Sequence, residues 1–444
     1  MLAGVVDAAE HVEPVTAVAI LNRGDCDRAI VSSIDTLGGA PTRGGVTAPG
    51  RPRISDMRSS KHILIAGAGL GGLTAAIGLA RAGHRVRVFE QALQLGEVGA
   101  GLTLSSGTMR CLEMIGVDKP VRELADESSN LPFLHYRTGA VLRRGLAAVA
   151  RSGAARPAQQ IHRADLHKLL VNALRRIDHD AIHLDHRVAS FESNIADVSL
   201  RFANGKTMHG DVLIGCDGGR SVVRAALTGE PALTFTGQVA FRCLVPMDIA
   251  RPHLALRTGA VYIGPGATFN RYPLRHDTIM NCVGLARSGA WQNEGWNTPA
   301  TNAEMLAPYR DWHPEVRALI EVAPPQGIIK WGLFVREPLP RWSAGRVSLL
   351  GDAAHPMLPF LGLGAAMAIE DGAMLVRAMA THDDVVQALA VYESVRRPRA
   401  TMIYRESVRQ GEIVQGQDPE NYANTDSPAH DPAIFDFDPL AVSL

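Results

Sequence analysis

Between Ile63 and Ala76 the chain reads ILIAGAGLGGLTAA, and no other stretch restricts its possible folds as tightly. HILIAGAG is a continuous apolar run, the pattern of a strand buried on both faces. LTAAIGLARAGH then takes helical spacing and stops at Gly83, and RVRVFE alternates as a second strand. Strand, helix and strand within about 30 residues make a βαβ unit, so the two strands run parallel. Gly67, Gly69 and Gly72 follow G-x-G-x-x-G. The first allows the tight turn, the second lets a pyrophosphate approach the backbone, and the third lets helix and strand pack closely. The helix N-terminus adds free N–H groups and a positive dipole end. Glu90 closes the second strand, where a carboxylate accepts from ribose hydroxyls. The unit implies a bound dinucleotide, either NAD(P) or FAD, and this stretch alone does not choose.

The rest of the composition narrows the class by exclusion. Acidic and basic residues balance at 45 each among 444 residues, which leaves no global field for nucleic acid or an anionic membrane. Cys26, Cys111, Cys216, Cys243 and Cys282 are scattered and odd in number, the pattern of reduced thiols in the cytoplasm and of neither a disulfide framework nor a metal site. No apolar run reaches the roughly 18 residues of an integral membrane segment. Residues 1–56, rich in Gly, Pro, Arg and Ser, lack sustained periodicity and read as a flexible N-terminal extension ahead of Met57.

Further along, HRADLHKLLVNALRR is an amphipathic helix, and SLRFANGKTMHGDVLIGCDG is a hairpin turning at Asn204–Gly205 into another buried strand. Strand signals dominate residues 233–340. GAAMAIEDGAMLVRAMA reads as a long helix, and the segment after it as one or two helices interrupted near Pro398. The acidic, Pro-rich residues 417–444 have little to pack and read as a flexible tail. The expected division is therefore 57–232 for the first part of a nucleotide-binding domain, 233–340 for a substrate-binding β-sheet region, and 341–416 for a second cofactor loop with C-terminal helices.

Two distant motifs choose between the nucleotides. An apolar strand ends in CDGGRSVVR (Cys216–Arg224), and RVSLLGDAAHPMLPFLGLGAAMAIEDG runs from Arg346 to Gly372. Together with the glycine turn, in this order, they resemble the three fingerprints of the single-component, FAD-dependent aromatic hydroxylases. These are the class A flavoprotein monooxygenases, and the likeness is to the salicylate hydroxylase and 6-hydroxynicotinate monooxygenase group. EVGAGLTL (Glu97–Leu104), IHRADLH (Ile161–His167) and YESVRRPR (Tyr392–Arg399) also match the family's wording, so the resemblance covers about residues 60–410.

The resemblance implies an α/β fold, with a Rossmann-type FAD-binding domain interleaved with a mixed β-sheet substrate domain and C-terminal helices. It implies Gly67, Gly69, Gly72, Glu90, Gly101, Arg163, Asp217, Gly218, Gly351, Asp352, Gly362 and Gly364 as residues around FAD. NADH or NADPH is the implied transient reductant, docking without a second glycine-rich βαβ unit of its own. Reduced flavin would take up O2 as a C4a-hydroperoxide and pass one oxygen to a small aromatic substrate. The protein would act as a monomer or homodimer. An FAD-dependent hydroxylase or epoxidase of an isoprenoid or polycyclic substrate, or a non-catalytic nucleotide-binding module, are the alternatives.

For the substrate wall, TGQVAFRCLVP (Thr236–Pro246) matches the family segment that faces the pocket, where phenol hydroxylases often carry His or Tyr. Here Gln238 and Phe241 stand instead. Either another group takes the ring proton, or an amino group or ring nitrogen activates the substrate. Gln238 is a candidate to meet a ring heteroatom and Phe241 an apolar wall; both equally fit simple packing of the sheet. Arg242 suits a substrate carboxylate, although strand alternation sets it opposite Phe241. Thr103, Tyr262 and Tyr272 are further candidates. Pro356 is expected to shape the loop beside the flavin, His355 to structure that loop, and Leu363 stands where relatives often have Gln.

Overall fold

The computed structural model describes residues 59–96, 101–128, 131–144, 158–229, 233–289, 291 and 298–444. The proposed extension 1–56 lies outside them. The glycine turn sits at the centre of a six-stranded sheet. His62–Ala66 pairs in parallel with Arg85–Phe89 on one side and Val212–Gly215 on the other. Val347–Leu349 extends the sheet in parallel beyond Val212–Gly215. Ile63, Leu64 and Ile65 are at most 1% exposed, as a strand with layers on both faces demands. Three of the motifs therefore end on adjacent strands of one sheet, and their loops emerge at the same edge.

Small residues let the helices above this edge pack closely. The turn helix, Leu70–Arg81, lies against the long helix Gly364–Thr381. A β-carbon on Gly71 would stand 2.7 Å from the Ala368 carbonyl, and one on Gly372 would stand 2.8 Å from the Gly71 carbonyl. The glycines of GAAMAIEDGAM thus set the distance between the two helices that border the cofactor loops.

The second layer is an eight-stranded mixed sheet. Its order is Thr298–Pro299, Ile329–Val335, Thr234–Pro246, Ile279–Arg287, Ala267–Leu274, Ala260–Gly264, Phe133–His135 and Val141–Arg143. The last two strands fall inside the 57–232 segment, so the expected boundary at 233 does not separate the sheets. Phe133–His135 joins by parallel pairing with Ala260–Gly264, a long-range choice that local patterning does not encode. Residues 57–444 form one compact unit.

Two further expectations are corrected. The helix Val385–Val414 runs through Pro398 without a break. Pro398 and Ser394, whose carbonyl loses its donor, are both exposed to solvent. On the inner face, buried Arg396 and Arg399 anchor the helix on either side of the proline. The tail is also packed. Residues 417–444 form single turns that start at Pro419, Pro428, Pro432 and Pro439, with Asp431 and Asp438 capping two of them. Arginines from two helices grip its carbonyls: Arg377 donates to Pro439 (2.9 Å) and Val442 (2.8 Å), and Arg399 to Ile434 (2.6 Å). Tyr422 and Ile434 are buried. Acidic, proline-rich composition here encodes caps and turn starts. Among the described residues no helix is long and apolar enough to cross a membrane.

Candidate active site

One cavity of about 470 Å³ lies between the two sheets, and the glycine turn and the Asp352 loop both open onto it. On its first wall the chain presents backbone. Gly67 takes φ +104°, and a side chain there would also run into the Cys216 carbonyl at 2.3 Å. That close contact seats the turn on the Cys216–Arg224 motif. β-carbons on Gly69, Gly218 and Gly362 would meet nothing within 4 Å, and one on Gly364 only Met357 at 3.9 Å. All four glycines line the cavity, so it runs along bare backbone at points contributed by three distant segments. The helix Gly364–Thr381 starts at this wall with Leu363 as its N-cap, and no side chain caps its first N–H groups. Those donors and the open glycine faces fit an elongated, anionic dinucleotide.

Other motif residues brace this wall from behind. Glu90 accepts from the backbone N–H groups of Ala68 and Ala92, both at 3.0 Å, and thereby fixes the turn. His167 lies with Nε2 2.8 Å from the Ala68 carbonyl. Asp217, expected beside the cofactor, is not among the residues lining the cavity, although its neighbours Cys216 and Gly218 are. Its carboxylate accepts from Ser221 Oγ and from the N–H groups of Val222 and Val223, capping the helix Val222–Thr228. Burial raises its pKa, and these bonds oppose the rise. Arg224 donates to the carbonyls of Gly219 and Ala353 and so ties the second motif to the third.

The third motif stands on a buried charge cluster. His355 Nε2 is 2.5 Å from Asp371 Oδ2, which also accepts from the Gly351 N–H at 3.0 Å. Arg396 bonds Asp371 Oδ1 at 2.6 Å and Glu370 at 3.1 Å. Burial alone would raise the Asp371 pKa, but His355 and Arg396 outweigh it and hold the carboxyl below its ordinary value. Arg396 belongs to YESVRRPR and Gly351 to GDAAHP, so two sequence signatures meet in one network. Asp352, next in the chain, is exposed to the cavity. Pro356 does not reach the cavity. It lines a separate recess with Trp342 and Tyr404, because His355 turns inward to Asp371 and carries the next residue behind the loop.

The opposite wall is made of side chains from the eight-stranded sheet. Thr268, Asn270 and Tyr272 come from one strand, Val283 and Leu285 from the next, and Arg242 from the Thr234–Pro246 strand. Trp331, Leu333, Phe133, Phe360 and Val414 make the apolar remainder. Arg242 is the one charged residue that this sheet contributes, and its guanidinium lies 5.5 Å from the Trp331 ring. Thr103, Gly101 and Arg163 complete the lining. The Gly101 N–H donates to Asn281, and a side chain at Gly101 would strike the Tyr272 hydroxyl at 2.3 Å.

Strand alternation redistributes the expected substrate residues. Phe241 packs with Tyr262, Phe269 and Trp312 in a core on the far face of the sheet, whereas Arg242 faces the cavity. Tyr262 is fully buried there, stacked on His313 at 5.5 Å. Gln238 lies beyond Ala240, does not line the cavity, and has a buried Oε1 without a partner. Thr268, Asn270, Val283, Trp331 and Phe360 escaped the sequence reading. The signal for two of them was present: if Tyr272 faces the pocket, Thr268 and Asn270 share its face at period two.

A family model described as "FAD binding domain" matches residues 60–407. The chain belongs to the FAD-dependent aromatic hydroxylases. Its cofactor is FAD. A 6-hydroxynicotinate 3-monooxygenase from Bordetella bronchiseptica (strain ATCC BAA-588 / NCTC 13252 / RB50) is 34% identical over 366 residues, covering 79% of this chain and 91% of the relative. A 3-hydroxybenzoate 6-hydroxylase 1 from Aquipseudomonas alcaligenes is 34% identical over 343 residues, covering 77% and 86%. The crystal structure of Klebsiella pneumoniae HpxO complexed with FAD and uric acid is 25% identical, with a TM-score of 0.73 over 82% of this chain and 92% of that one. This chain is therefore an FAD-dependent monooxygenase of the aromatic hydroxylase type.

Proposed function

We propose that this enzyme uses NAD(P)H and O2 to hydroxylate a small aromatic or N-heteroaromatic acid. The observation that carries the reading is Arg242: one guanidinium on an otherwise uncharged sheet wall, inside the cavity bordered by the cofactor loops. A carboxylate meets such a group bidentately, and the surrounding Val283, Leu285 and Trp331 suit a flat ring. The ring exchanges C–H for C–OH, the second oxygen atom leaves as water, and NAD(P)H supplies two electrons. Bound FAD supplies the electron acceptance from NAD(P)H and the activation of O2.

The chain's own residues bind, orient and exclude water. Gly69, Gly72 and the turn helix are suited to the pyrophosphate, with Glu90 at the adenosine end. Asp352, which lines the cavity, would accept from hydroxyls of the ribityl chain, and Arg163 would contact the flavin. Gly362 and Gly364 would leave room for the isoalloxazine, and the N-terminus of the helix beginning at Gly364 would favour negative charge on a reduced ring held there. Leu358 and Phe360 add apolar lining to the cavity. The described cysteines, Cys111, Cys216, Cys243 and Cys282, are free thiols, which supports a reducing compartment such as the cytoplasm.

The test is a panel of aromatic and N-heteroaromatic acids offered to the FAD-loaded protein, with NAD(P)H consumption and product mass followed together. The expected outcome is faster NAD(P)H oxidation with one acid class and a product heavier by one oxygen. Stimulation by neutral polycyclic or isoprenoid compounds and by no acid would overturn the reading.

A further inference from the structure

The sheet wall also indicates how the substrate ring is activated, an inference that rests on the aromatic-acid reading above. Pairing register sets Arg242 opposite Val283, Val283 opposite Asn270, and Asn270 opposite Val261. These residues form one row across four strands, and all line the cavity. Arg242 and Asn270 stand two strand spacings apart, about 10 Å at the backbone, with Val283 between them. A ring lying on Val283 with its carboxylate at Arg242 therefore turns its opposite edge towards the Asn270 carboxamide. Asn270 Oδ1 is buried and has no hydrogen-bond partner among the described residues. A buried acceptor of this kind calls for a donor.

A phenol becomes a strong ring nucleophile by losing its hydroxyl proton, which needs a base within reach. The carboxamide of Asn270 accepts a hydrogen bond but does not take up a proton near neutral pH. No histidine is among the described residues lining the cavity, and Cys216 and Asp352 belong to the cofactor wall. Tyr272 is the remaining titratable group beside Arg242 on the sheet wall. Burial pushes its phenol above the ordinary value, so it stays protonated and serves as a donor.

We propose that the substrate ring carries an amino group or ring N–H opposite its carboxylate, that this N–H donates to Asn270, and that the ring is hydroxylated without prior deprotonation. The nitrogen lone pair supplies the electron density that a phenolate would otherwise provide. The nitrogen proton stays in place, the ring C–H becomes C–OH, O2 gives its other oxygen to water, and NAD(P)H supplies the two electrons.

The experiment compares para-aminobenzoate and a pyridone carboxylate with para-hydroxybenzoate on the FAD-loaded full chain, measuring hydroxylated product per NAD(P)H consumed. At least one N–H compound should couple about tenfold better than the hydroxy acid, because its nitrogen activates the ring without the base that a phenol needs. Asn270→Ala should raise KM for that compound about tenfold and leave FAD content unchanged. Asn270→Asp, nearly isosteric but able to take a proton, should improve coupling with para-hydroxybenzoate as pH rises. Equal coupling of the hydroxy acid by the wild-type protein, or an N–H substrate KM indifferent to Asn270→Ala, would overturn the inference while leaving the aromatic-acid reading intact. Stimulation by no acid of either kind would overturn both.

Discussion

The two walls of the cavity are built on opposite principles. The cofactor wall presents mostly backbone: Gly69, Gly218, Gly362 and Gly364 face it with nothing but their main chain, and apart from Asp352 and Arg163 the charged residues of the motifs work behind it. The sheet wall presents side chains, Arg242, Asn270, Tyr272 and Trp331, on a regular lattice of strands. A dinucleotide common to a whole family suits a wall whose shape resides in turns and glycines. A substrate that differs among relatives suits a wall on which one side chain can change without disturbing its neighbours. Recognition of the cofactor is thus a property of the fold here, and recognition of the substrate a property of a few positions.

The largest expected effect attacks the support of the cofactor wall. Asp371→Ala leaves Arg396 and His355 buried against an incomplete cluster and should destabilise the protein by about 3–5 kcal/mol, read by chemical denaturation. Retention of wild-type stability would show that the loop does not depend on the charges beneath it. Gly69→Leu should separate shape from stability. Its β-carbon meets no protein atom, so the apoprotein should melt as the wild type does, while FAD affinity, followed by flavin fluorescence, falls on the order of 100-fold because the side chain occupies cofactor space.

Arg242→Met tests the other wall. It should raise KM for an aromatic acid by about 100-fold, the effect of losing a bidentate ion pair, with FAD affinity unchanged. An equal loss of FAD would break the division between the walls. The smallest effect concerns the tail behind Phe133. His430 packs between Phe133 and Tyr422, with both ring nitrogens lacking partners among the described residues. Burial, assisted by Arg143, lowers its pKa from 6.5 to about 4. Between those pH values the unfolded chain binds a proton that the folded one refuses, so stability falls as pH drops through that window and is full above it. His430→Leu should flatten the pH dependence of the melting temperature between 6.5 and 4.

Much of the cofactor wall was legible in the linear chain because its determinants are local. Gly67, Gly69 and Gly72 are three letters of one turn, and each of the three motifs ends its own strand. Less legible was which motif residues face the cavity. Asp217 was recognisable as a motif residue, yet only the folded helix start at Val222 absorbs its carboxylate. The tail misled for a related reason. Pro419, Pro428, Pro432 and Pro439 read as disorder until the distant Arg377 and Arg399 are seen holding that segment.

By itself the sequence determined the βαβ unit and the order of the three motifs, because glycine spacing and apolar periodicity act over a few residues; the class of cofactor followed from the family resemblance those motifs carry together. Tertiary structure alone decided that Arg242 rather than Phe241 faces the cavity, that Tyr262 is core and Tyr272 pocket, and that Asn270 stands across Val283 from Arg242. Alternation says that neighbours on a strand face opposite ways, but which way is inward depends on what packs against each face. That choice is made by pairing and packing between strands and helices that are separate in the chain.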